Sequence, residues 1–144
     1  MTEDAKSYRH WRTLAPVIAW CMLIFALSSV GGSRYPQLSW EYADKAVHFS
    51  LYLVLGFLAG KHFVSRWPGM YGAAVAATFG MIYGATDEIH QLWVPNRSCS
   101  FADWISDAVG TIAGVAAILL IMRIVSSRNV NADLSTNPES MEMS

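Results

Sequence analysis

The chain has 144 residues, enough for one domain, with 53% apolar and only 15% charged residues, against about 25% charged in soluble proteins. A net charge of −1 with no basic run argues against nucleic-acid binding. Two cysteines, Cys21 and Cys99, have no metal spacing and support no disulfide framework. The charges sit in short blocks between long apolar runs, the pattern of a membrane protein with several spans.

Residues 1–12, MTEDAKSYRHWR, are polar and read as a short cytoplasmic segment. Residues 13–30 are the first apolar run, just long enough to span at about 1.5 Å per residue. The run is too long, and lacks the small-residue cleavage site, for a signal peptide. Residues 31–43 form a loop with Tyr35, Trp40 and Tyr42, aromatics suited to a membrane interface. A second run starts at Asp44-Lys45 and continues to about 64, and Lys61, His62, Arg66, Trp67 and Pro68 follow as a basic turn. The third covers about 69–86 and carries into Asp87–Gln91, and the fourth covers about 104–125. Residues 126–144 are polar and aperiodic, which predicts a disordered tail. The expected fold is an all-α, four-helix transmembrane bundle over residues 13–125 with short loops.

Orientation follows from basic residues near the helix ends. With four spans, one side holds Lys6, Arg9, Arg12, Lys61, Arg66, Arg123 and Arg128, seven in all, and the other holds three, Arg34, Lys45 and Arg97. The side with seven should be cytoplasmic and should carry both termini. The stretch from Gly80 to Asp107 should then turn outward. It leaves one apolar helix through Asp87, Glu88, His90 and Gln91, turns at Val94-Pro95-Asn96-Arg97, and enters another through Asp103 and Asp107. Charged residues near a bilayer are costly and usually face protein or water.

Ladders of four-residue spacing give the direction of these groups. They are Asp44, His48, Tyr52, Gly56 and Gly60; then Gly72, Ala76, Gly80, Gly84 and Glu88; then Asp103 and Asp107, followed by Gly110 and Gly114 after a step of three. Residues four apart share a helix face, drifting about 40° per step. Small residues at that spacing allow close helix approach. Each polar end therefore stands above a packing seam. Convergence of the seams would join Asp44, Lys45, His48, Asp87, Glu88, Gln91, Arg97, Asp103 and Asp107 in one polar pocket. The alternative is a charge-balanced network that only ties helix ends together.

The blocks Asp44-Lys45-x2-His48-Phe49, Asp87-Glu88-x2-Gln91 and Arg97-Ser98-x4-Asp103-x3-Asp107-x2-Gly110 resemble the VanZ-like family, over roughly residues 14–122. The resemblance implies a small integral protein of the bacterial inner membrane. It also implies a cell-envelope role, the founding member being associated with resistance to glycopeptide antibiotics. Members often carry Asn where this chain has Asp107, and the extra acid makes the site more negative.

Three chemistries are open to such a pocket. An oxygen-rich set would suit magnesium, calcium or manganese, but no compact metal motif appears, so no metal or cofactor is expected. For acid–base work, His48 is the natural proton carrier. Arg97 could grip a phosphate or carboxylate with its planar fork, whereas Ser98 and Ser100 have no adjacent base. A proton path for transport is not visible. Whether the chain is an enzyme stays open. The expected partners are membrane lipid and a lipid-linked envelope precursor or a larger membrane protein complex.

Overall fold

The computed structural model describes the backbone of residues 3–31 and 43–136, and side chains of residues 10–31 and 43–129. Four α-helices make up the fold, with no strand among the described residues: α1 (Glu3–Ser28), α2 (Ala43–Arg66), α3 (Met70–Gln91) and α4 (Phe101–Thr136). Three stretches are long and apolar enough to cross a membrane, His10–Ser28, Ala43–Arg66 and Phe101–Asn129. The remaining helix, α3, has 22 residues and carries Asp87, Glu88 and His90 in its last turns. The all-α four-helix expectation is met. Tyr35, Trp40, Tyr42 and Arg34 lie outside the described residues.

Two helix ends differ from the expectation. Helix α1 begins at Glu3 rather than at 13, so the polar N-terminal segment is largely helical. Helix α4 runs to Thr136 rather than to about 125. The first part of the segment expected to be disordered is therefore helical. No proline or glycine interrupts the chain between Gly114 and Pro138, so nothing local stops the helix.

Consecutive helices run antiparallel. The Thr13 hydroxyl near the start of α1 lies 2.9 Å from His62 Nδ1 near the end of α2. At the opposite end, Ser28 of α1 and Ser29 just after it reach Asp87 and His90 of α3. Helix α4 packs most extensively on α2, and α1 touches α2 and α3 but not α4 among the described residues.

The α2–α4 seam is set by glycines on both sides. A Cβ added at Gly56 would run into the Thr111 backbone, one at Gly110 into the Phe49 carbonyl, and one at Gly114 into the Leu53 carbonyl. At Gly60 the first atom met is a side-chain methyl of Ile118. The α3–α4 approach uses Gly80, facing the Thr111 side chain, and Gly84, whose Cβ would lie 3.1 Å from Asp107 Cβ and 3.4 Å from the Tyr52 ring. Without a hydrophobic force between helices in lipid, close van der Waals packing drives association, and glycine permits it.

Side chains also donate to carbonyls of neighbouring helices. Trp20 Nε1 donates to Leu51 O at 2.9 Å, the Tyr83 hydroxyl to Cys21 O at 2.6 Å, and Trp104 Nε1 to Met81 O at 3.0 Å. The outer faces are apolar instead: Ile18, Met22, Phe25, Ile112 and Leu120 are exposed. Apolar outer faces, around a core that mixes apolar residues with buried polar groups, suit a lipid solvent.

Candidate functional site at one end of the bundle

The end of α1, the start of α2, the end of α3 and the start of α4 meet at one end of the bundle. The local sequence prepares each of them. Helix α3 stops after Gln91, and the chain turns back with the Arg97 N–H donating to Val94 O at 3.2 Å. Pro95 takes the second position of that turn and Asn96, at φ 58°, the third. A type II turn places proline and a positive φ at these positions, and asparagine tolerates the latter. Ser100 then caps α4: its Oγ accepts from the Asp103 N–H at 3.3 Å.

The backbone N–H of Ser100 donates to Glu88 Oε2 at 2.7 Å. In a capping box, an acid at the third position of the same helix takes the cap residue's N–H. Here Glu88 of α3 takes it across helices. That bond fixes both the start of α4 and the orientation of the Glu88 carboxylate.

At the centre, His48 Nδ1 lies 3.0 Å from Asp107 Oδ1 and 3.8 Å from Glu88 Oε1. These three residues come from α2, α4 and α3 and are 7%, 0% and 3% exposed. Gln91 Nε2 donates to Glu88 Oε1 at 3.4 Å and to Asp87 Oδ2 at 3.5 Å. Asp87, also buried, accepts from the Ser28 hydroxyl at 2.6 Å. Nearer the rim, the half-exposed Lys45 pairs with Asp103 at 3.2 Å. Asp44 is exposed on the first turn of α2. Arg97 is half-buried in the loop.

The structure thus brings together Lys45, His48, Asp87, Glu88, Gln91, Asp103 and Asp107, with the exposed Asp44 at their edge, its carboxylate within 4.8 Å of His48 and Asp103. Arg97 takes part in none of the ion pairs just given. Four further residues complete the site. Ser28 carries no signal at the end of an apolar run. Ser100 acts as a helix cap. Tyr52 and Thr111 are fully buried, and neither hydroxyl has a hydrogen-bond partner among the described residues, nor has Asp107 Oδ2. Tyr52 stands one turn beyond His48 on the same ladder, and that spacing could have found it.

Two groups of residues have the donor atoms of a cation site. Asp44, His48 and Asp103 form one, and His48, Glu88 and Asp107 the other, each with ligand atoms within 4.8 Å of one another. His48 belongs to both. In the first group Lys45 already holds Asp103.

A helical bundle with apolar outer faces, and with acids and a histidine buried at one end, defines a small helical membrane protein. The chain belongs to the VanZ/LLP1 family, whose model matches residues 11–123. No curated protein and no solved structure matches it.

Proposed function

We propose that this protein acts at the bacterial cell envelope. In this reading the polar end of the bundle faces outward from the inner membrane and binds or modifies an envelope precursor or glycopeptide target. The supporting observation is the burial of His48, Glu88 and Asp107, from three helices, at one end of a membrane protein. Ionisable residues in a membrane protein mark function by default, because lipid makes them costly. A buried ion pair is a poor source of stability, since apolar residues of similar volume often serve as well. Lys45 and Arg97 supply cations near the rim, where a lipid-linked phosphate would arrive.

A second reading makes the chain a non-enzymatic accessory subunit of a larger membrane complex. It draws on the internal pairing: Ser28–Asp87, Lys45–Asp103, His48–Asp107 and Ser100–Glu88 each join two helix ends.

Arg97 separates the two. The probes are polyprenyl pyrophosphate, polyprenyl monophosphate and neutral polyprenol, each titrated against the protein in nanodiscs with Trp fluorescence as readout. Binding of the two phosphates but not of polyprenol is expected. Arg97→Lys should keep the melting temperature and weaken pyrophosphate binding about tenfold, because lysine lacks the planar fork. Equal affinity for all three lipids, or loss of melting temperature in parallel with binding, would favour the accessory role.

Orientation is tested at Cys99, which is exposed, after replacement of the half-buried Cys21. An impermeant maleimide should label Cys99 in intact cells whose outer membrane, where one is present, has been permeabilised. Labelling only after lysis of the inner membrane would reverse the orientation.

A further inference from the structure

We propose that His48, Glu88 and Asp107 bind one divalent transition-metal ion, of the manganese or zinc class, inside the polar end of the bundle. The inference concerns ion binding and holds whichever headgroup the site takes.

The first support is geometric. One nitrogen and two carboxylates are offered by α2, α3 and α4, with donor atoms within 4.8 Å of one another. With metal–ligand bonds of about 2.1 Å, neighbouring ligands lie about 3.0 Å apart at a right angle and about 3.4 Å apart at a tetrahedral angle. The His48–Asp107 and His48–Glu88 separations, 3.0 and 3.8 Å, bracket those edges. The glycine seams hold the three helices that carry the ligands. Glu88 is also oriented from behind, its Oε2 taken by the Ser100 N–H, which leaves Oε1 toward His48. Such outer hydrogen bonds are what a metal site uses to fix its ligands.

The second support is the state of the surrounding buried atoms. Asp107 is 0% and Tyr52 1% exposed. Asp107 Oδ2 and the Tyr52 hydroxyl both lack a hydrogen-bond partner among the described residues. Asp107 Oδ2 and the edge of the Tyr52 ring lie on the same side of Gly84, at 3.2 and 3.4 Å from where a Cβ on that glycine would stand. Buried polar atoms are rarely left so, because each keeps the cost of losing its water. A cation and its water would satisfy both.

The third support is charge. Protonating the imidazole cancels one of the two carboxylate charges of the triad. A divalent ion with neutral imidazole cancels both, which burial favours. The donor set selects the ion, since imidazole suits transition metals and carboxylates admit manganese and zinc. The ion would also let a site rich in acids receive a phosphate.

The test uses the full chain in detergent, stripped with chelator and titrated separately with Mn²⁺, Zn²⁺, Ca²⁺ and Mg²⁺. Mn²⁺ binding is read by loss of the free-ion EPR signal, and the others by melting temperature. One equivalent of Mn²⁺ or Zn²⁺ per chain is expected, with a melting-temperature rise of about 4 °C or more at saturation. Glu88→Gln, Asp107→Asn and His48→Gln should each weaken binding about tenfold or more. Cys99→Ser and His62→Gln should leave it unchanged. Should Asp107→Asn fail to fold by circular dichroism, Glu88→Gln and His48→Gln decide. Three outcomes overturn the proposal: no saturable binding of Mn²⁺ or Zn²⁺, equal affinity in wild type and the ligand variants, or loss of binding with His62→Gln.

Discussion

Gly114→Ala is expected to cost about 3 kcal/mol or more and to lower the melting temperature in detergent sharply, whereas Gly60→Ala should cost about 1 kcal/mol or less. Both glycines lie on the α2–α4 seam. A methyl at Gly114 meets backbone only: the Leu53 carbonyl, Phe57 N and Gly56 C. Backbone within a helix cannot step aside by changing rotamer, so the two helices must separate. They would then lose contacts along the whole seam. At Gly60 the nearest obstruction is a methyl of Ile118, 2.6 Å away. That side chain can shift, and the better helix propensity of alanine, about 1 kcal/mol, offsets part of the strain. The check is thermal unfolding of both variants followed by circular dichroism. Equal melting temperatures would mean that the helices do not approach as closely as described.

His48→Leu is expected to destabilise by about 3–5 kcal/mol, as removal of one partner from a buried charged cluster does. It leaves Glu88 and Asp107 facing each other without the imidazole that stands 3.8 and 3.0 Å from them. Asp107→Ala should cost less, because Glu88 still faces His48. The double variant should be more stable than the sum of the two losses implies, with a coupling of about 1–3 kcal/mol. Melting measurements in chelator, which keep any bound ion out of the comparison, check all three variants. Strict additivity would show that the histidine and the aspartate do not act on each other. The double variant also bears on function. An apolar replacement that restores stability makes a purely structural role for these groups harder to sustain.

The helical bundle was legible in the sequence because its signals are local and repeated. Apolar runs near span length, bounded by Gly31-Gly32, by Pro68 and by the Val94–Arg97 turn, mark helices without knowledge of what they touch. The ends of α1 and α4 were less legible. The extension of α4 is rich in Ser, Asn and Thr, whose modest helix propensity gives no signal for it, and helix ends are the least sharply marked part of any helix. The four-residue ladders placed His48, Glu88 and Asp107 on faces that also carry glycine, and so pointed to an inward direction.

Composition and spacing alone determined a helical membrane protein with acids and a histidine at the mouths of its helices. The order of the family's motif blocks along the chain carried the relationship to the VanZ/LLP1 proteins. Tertiary structure decided which groups meet. Lys45 chooses Asp103 and His48 chooses Asp107, each over distances of more than 50 positions in sequence. Ser28 becomes the partner of Asp87, and Glu88 caps a helix it does not belong to. A helix face can be read from periodicity, because 3.6 residues per turn is a property of one chain segment. The rotation and depth at which two faces meet depend on contacts made by both, here glycine against backbone across α2 and α4. A shift of about 1.5 Å, one residue along a helix, would exchange the partners of every polar side chain at that end.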